Sequence, residues 1–232
     1  MSYNQYPVIE FAGVPGVGKS TIVAELIHTQ PTLVKSPSYT LDHESCVLKR
    51  NVLKIIKILS TTTQSPTFTR LSLKTLFQQP TMTWFKQLLN WYLVVGYHRS
   101  ANSITILDQG ILQAIWSISY TLGRSNGQDL YSQCESIIQS PPQLFIVLTA
   151  NQETIIDRLR NRKRQKNDYL PNTFSFDQET VKQSCLLMES VQEMFHQTAN
   201  EIPGFNVAQI DTTDKNVSDV KEEATSLINS FI

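Results

Sequence analysis

The run Gly13-Val-Pro-Gly-Val-Gly-Lys19-Ser20 carries the pattern G-x-x-x-x-G-K-[ST], and the chemistry of that pattern is phosphate binding. Glycines let successive backbone N–H groups turn inward around a β-phosphate at a helix N-terminus. The lysine neutralises the β/γ oxygens and the hydroxyl ligates Mg²⁺. On this reading Gly13, Val14, Pro15, Gly16, Val17, Gly18, Lys19, Ser20 and Thr21 form the cradle of a nucleoside triphosphate, with Ser20 also a metal ligand. The chain has only eight glycines, and three of them, Gly13, Gly16 and Gly18, fall within six residues. The plainer alternative is a Gly-rich turn in which Ser20 merely caps a helix.

Two further groups suit phosphoryl chemistry. Arg158, Arg160, Arg162, Lys163, Arg164 and Lys166 put six cations within nine residues. On a helix Arg158 and Arg162 share one face, as do Arg160 and Arg164. Arginines on a closing lid would stabilise charge spreading over the equatorial oxygens of a migrating phosphoryl group. The plainer alternative is a solvated basic face. Asp108, at the end of Ser103-Ile-Thr-Ile-Leu-Asp108, is followed by Gln109 rather than a second acid. A single carboxylate there suits transfer to a bound acceptor better than hydrolysis of ATP. Asp108 is the candidate base for an acceptor hydroxyl, or a second ligand to Mg²⁺ through water. No Asn-Lys-x-Asp guanine-reading element occurs, which disfavours a GTPase switch.

These groups need elements to position them. Pro7–Ala12 reads as a strand running into the glycine loop, and Ile22, Val23, Leu26 and Ile27 give helical spacing from Lys19. A weak strand around Leu33 and Val34, a buried strand at 103–108, a central strand at Leu144–Thr149 and a last strand at Phe205–Ile210 follow in order. Helices are predicted at 111–122, 153–164, 177–199 and 217–231. Residues 40–100 read as a helical region on the acceptor side, and 153–176 as a lid. Strand alternates with helix, so one domain over 1–232 is expected, with a parallel sheet covered on both faces.

Composition excludes other classes. Twenty Lys plus Arg balance twenty Asp plus Glu, so no global field of one sign exists to attract nucleic acid or an anionic membrane. Cys46, Cys134 and Cys185 show no CxxC or metal-ligand spacing. No export signal and no long uncharged apolar run are present, and a cytoplasmic protein is expected. Arg99, Arg70 with Phe68, and Asp42 with His43 are weaker acceptor-side candidates. Trp84, Trp91 and Trp116 read as core or interface residues, with base stacking a minor option for Trp116. His28, His98 and His196 have no sequence partner at catalytic spacing.

With these landmarks in place, the sequence resembles the nucleoside and nucleotide kinase superfamily of phosphate-loop proteins, most nearly the thymidylate-kinase-like group. The resemblance rests on Phe11-Ala-Gly-Val-Pro-Gly-Val-Gly-Lys-Ser-Thr21 and on Ile104-Thr-Ile-Leu-Asp-Gln-Gly110, where those kinases have a strand ending in Asp-Arg. Arg158-Leu-Arg-Asn-Arg162 stands in the lid position, and Ile210-Asp-Thr-Thr213 follows the last strand. The resemblance implies a three-layer fold with a five-stranded parallel sheet, ATP with Mg²⁺, and γ-phosphoryl transfer to a nucleoside, nucleotide or other small acceptor. It also implies that Arg158, Asp211 and Thr212 lie by the donor nucleotide and that Lys19, Asp108, Arg158 and Arg162 serve catalysis, and kinases of this kind are often homodimers. Gln109 replaces the arginine that often contacts an acceptor phosphate, and Lys35-Ser-Pro-Ser-Tyr39 lacks the glutamate base of many deoxynucleoside kinases. A regulatory nucleotide-binding protein without an acceptor is the rival reading, and polynucleotide phosphorylation a weaker one.

Overall fold

Every residue of Val8–Ala12 (β1) is buried, and so is all of Gln143–Thr149 (β4) except its last position. Strands without a solvated side must be covered on both faces, and only a parallel sheet flanked by helices does this routinely. The computed structural model describes residues 6–30, 34–35, 93–95, 103–122, 143–166 and 177–232, and it has that architecture. After β1 come Lys19–Thr29 (α1), Val34–Lys35 (β2), Thr105–Leu107 (β3), Ile111–Leu122 (α2), then β4, Gln152–Lys166 (α3), Gln178–Glu201 (α4), Phe205–Asp211 (β5) and Val217–Phe231 (α5). The five strands are ordered β2-β3-β1-β4-β5 and every pairing is parallel.

The helices pack as two groups: α1 against α5, and α2 against α4, with α3 joined to α4. Their caps follow local chemistry. Asp177 opens α4 by accepting from the Thr180 N–H at 2.8 Å, and Asn216 with Asp219 closes a capping box at the start of α5. The apolar centre lies between β4, β5 and α4, where Phe145 meets Phe195 and Phe205 with ring centroids 4.8 Å away in both cases. Trp116 belongs to the core, 5% exposed, with its indole N–H donating to the Ser184 carbonyl at 3.0 Å. Cys185 is half-buried beside that core.

The acceptor-side region 40–100 lies outside the described residues apart from 93–95, which are helical. The lid beyond Lys166, Arg99, Arg70, Phe68, Asp42, His43, Trp84, Trp91, His98, Cys46 and Cys134 lie outside them too, as do the side chains of Lys163, Arg164 and Lys166. Among the described residues no helix is long and apolar enough to cross a membrane.

Candidate functional site

Parallel pairing puts the carboxyl ends of all the strands on one edge of the sheet, the edge at which open α/β sheets hold ligands. β1 reaches that edge at Ala12, and Gly13–Gly18 turn the chain into α1. Gly18 is the N-cap of α1 at φ 98°, with nothing within 4 Å of where a Cβ would stand. Glycine is required there by the left-handed backbone alone. Gly13, at φ 148°, adds a steric demand, since a Cβ would lie 2.4 Å from the Leu148 carbonyl oxygen. The loop is thereby seated on the end of β4.

Lys19, the first residue of α1, folds its side chain back over the loop. Its Nζ donates to the carbonyl oxygens of Gly13 and, at 3.2 Å, of Val14. Burial pulls the ammonium from its ordinary 10.5 down to about 8, with Asp108 opposing the shift and Arg162 reinforcing it. Asp108 at the strand end and Arg162 of α3 thus both act on the loop lysine.

Around this loop lies a cavity of about 540 Å³, of a size suited to a small ligand. The loop from Pro15 to Thr21 forms one wall, Arg158, Asn161 and Arg162 of α3 a second, and Thr212, Lys215, Asn216 and Val217 a third. Arg158 and Arg162 point to the cavity together, as their spacing predicts. Arg160 faces away, exposed, with its guanidinium 3.8 Å from Asp157.

Arg158 is fastened in place. Its guanidinium donates to the Thr212 hydroxyl at 2.9 Å and the Thr212 carbonyl at 2.7 Å, and reaches the Val17 carbonyl at 3.5 Å. The buried Thr212 hydroxyl in turn lies 3.0 Å from the Thr149 carbonyl and 3.2 Å from that of Val17. One arginine therefore joins α3, the glycine loop and the turn after β5. Asp211 stays off the cavity wall. Its carboxylate accepts from the Thr213 N–H and hydroxyl at 2.9 and 2.6 Å, bonds that hold it below the usual carboxylate range. It shapes the turn that presents Thr212.

Spacing alone did not point to several residues. Lys215 enters the cavity wall while ion-paired to Glu223 on α5, and Val217 adds an apolar surface that is 45% exposed. The signal available was the run Lys-Asn-Val directly after the β5 turn. Gln113 of α2 meets the loop at the Gly13 N–H, and Glu10 of β1 meets the Gln113 N–H. Among the described residues no group of three or more His, Cys, Asp or Glu could hold a metal.

No protein-family model matches the sequence, and no curated protein matches it. Solved structures do match its fold. A deoxyadenosine kinase from M. mycoides with products dCMP and a flexible dCDP bound aligns at TM-score 0.51 and 17% identity, over 97% of this chain and 100% of that one. The same kinase with bound dCTP aligns at TM-score 0.51 and 18% identity, over 96% and 99%. A thymidylate kinase from Candida albicans aligns at TM-score 0.51 and 19% identity, over 99% and 93%. The chain has the fold of the nucleoside and nucleotide kinases, as its resemblance to them implied.

Proposed function

We propose that this chain is an ATP- and Mg²⁺-dependent phosphotransferase that moves the γ-phosphoryl group to a small acceptor, a nucleoside or a nucleotide. The observation that carries the reading is the convergence of Lys19, Arg158, Arg162 and Lys215 on one cavity at the mouth of a glycine loop. Four cations around that volume match a polyphosphate, and the exposed Val217 beside them offers a surface for a base. The structural neighbours, one kinase of a nucleoside and one of a nucleotide, support the acceptor class.

In this reading Lys19 exchanges its two loop carbonyls for β/γ-phosphate oxygens, and the N–H groups of the loop and the first turn of α1 face the same anion. Ser20 would hold Mg²⁺, which when bound would supply neutralisation of the phosphate charge. The acceptor oxygen forms its bond to the γ-phosphorus while the bond from that phosphorus to the β–γ bridging oxygen breaks, leaving ADP. In this reading Asp108 would receive the acceptor's proton. Arg162 faces the charge on the transferred group, and Arg158 aligns the donor by its tie to Thr212.

The test is ADP release from Mg²⁺·ATP with a panel of nucleosides, nucleoside monophosphates and hydroxylated small molecules, against an acceptor-free control. One member of the panel should raise turnover, and Lys19→Ala should lower that turnover by about 10²-fold or more. Nucleotide binding with no acceptor-stimulated turnover would favour the regulatory reading. Wild-type rates in Lys19→Ala would remove the assignment.

A further inference from the structure

Glu10 stands in the middle of β1 fully buried, an ionisable side chain in a strand otherwise made of Val, Ile, Phe and Ala. Its register partner on β3 is Leu107, one residue before Asp108. From there the carboxylate caps α2. Oε1 accepts from the Gln113 N–H at 2.8 Å and Oε2 from the Leu112 N–H at 3.2 Å, donors that a helix N-terminus leaves without intrahelical partners. Gly110 makes room for it, because a Cβ at that position would lie 2.2 Å from Oε2.

The same Gln113, 8% exposed, reaches the glycine loop, where its Oε1 accepts from the Gly13 N–H at 3.0 Å. The carbonyl oxygen of Gly13 is one of the two that hold Lys19. A chain of contacts therefore runs from a buried carboxylate through one helical turn to the first residue of the loop. That turn begins immediately after Asp108-Gln109-Gly110.

We propose that Glu10 and Gln113 are positioning residues. Glu10 fixes the first turn of α2, and Gln113 on that turn fixes Gly13, so one buried side chain sets the loop that carries Lys19 relative to the strand end that carries Asp108. A helix cap with no further role would leave Gly13 indifferent to both residues. The proposal deepens the phosphotransferase reading and rests on it for its nucleotide arm. Its other arm concerns the nucleotide-free protein.

Hydrogen exchange at the Gly13 amide, followed by NMR in the nucleotide-free protein, tests the chain directly. Gln113→Met, similar in shape but without the acceptor, should exchange at Gly13 about tenfold faster than wild type. Ile146, in the sheet centre, should keep its protection. Gln113→Glu, which retains an oxygen at the same reach, should restore Gly13 protection. Glu10→Gln should also speed Gly13 exchange, and Glu10→Gln with Gln113→Met should be no faster than Gln113→Met alone, because the first acts through the second. Calorimetry with Mg²⁺·ATP should show weaker binding by about tenfold in Gln113→Met. Wild-type exchange at Gly13 in Gln113→Met overturns the proposal, and additive effects overturn the part played by Glu10. If wild type itself fails to bind Mg²⁺·ATP, the phosphotransferase reading falls while the exchange data still decide the positioning chain.

Discussion

At the scale of single residues, Lys19 links the site to pH. Its ammonium is held near 8 in the nucleotide-free loop by burial, and phosphate oxygens would raise that value again by stabilising the charge. Binding above pH 8 must then take up a proton, so affinity for ATP should fall by up to about tenfold per pH unit there. Calorimetry at pH 8.5 in two buffers of different ionisation enthalpy reads the uptake directly, and zero uptake would contradict this account. Arg158 and Arg160 make a second contrast, two cations on one helix with different surroundings. Arg158→Ala loses the bonds to Thr212 and should cost about 1–3 kcal/mol and raise the KM for ATP. Arg160→Ala, exposed and paired only at 3.8 Å, should cost under about 0.5 kcal/mol and leave KM alone. Urea melts and steady-state kinetics on both variants check this. Lys19 was legible because loop chemistry admits few residue types, and the pairing of Arg158 with Arg162 because helical period is regular. The tie from Arg158 to Thr212 was not, since the two stand 54 residues apart and no local pattern encodes their meeting.

At the scale of elements, the first turn of α5 is both a helix start and a wall of the cavity. The Asn216 side chain accepts from the Asp219 N–H at 3.0 Å and the Asp219 carboxylate accepts from the Asn216 N–H at 3.4 Å. Removing the cap in Asn216→Ala should cost about 1 kcal/mol. It should also loosen Val217, and so raise the KM for the donor more than for the acceptor. Asn216→Asp keeps the cap and should keep both stability and KM. A donor KM unchanged in the alanine variant would separate the cap from the site. The same elements show how far sequence reading extends. Ile111–Leu122 and Val217–Phe231 stand where apolar spacing put them. The strand read at 103–108 is ordered as a strand only over Thr105–Leu107, because beyond Leu107 the chain turns into α2 instead of continuing its pairing. The glutamate of β1 was passed over within a strand that reads as apolar. Its purpose was not legible, because the helix end it caps is 102 residues away.

At the scale of the whole molecule, the site is a product of strand order. β1 sits between β3 and β4, so the loop leaving it is flanked by the ends that carry Asp108 and Thr149, and the turn after β5 closes over through Thr212. Alternation of strand and helix was enough to infer a parallel sheet, but the order of strands comes from tertiary pairing. Placing Glu10 inside that sheet has a cost that should appear in global stability. Burial raises its carboxyl from the ordinary 4.5 to about 7, and the backbone N–H groups of Gln113, Leu112, Ile111 and Gly110 pull the other way without overcoming burial. Between those two values the folded chain retains a proton that the unfolded chain has released. The stability Glu10 contributes is thus full below pH 4.5, declines as pH rises towards 7, and is flat beyond, a loss on the order of 3 kcal/mol. Glu10→Gln has no proton to lose, so its unfolding free energy should lack this component. Other groups titrate as well, Asp211 among them with its lowered carboxyl, and the quantity to measure is therefore the difference between wild type and Glu10→Gln. Urea unfolding of both proteins at half-unit steps from pH 4.5 to 8 should show that difference moving in favour of the variant as pH rises. A difference independent of pH would mean that the four backbone N–H groups offset burial in full, and the pH-dependent loss assigned to Glu10 would have to be abandoned.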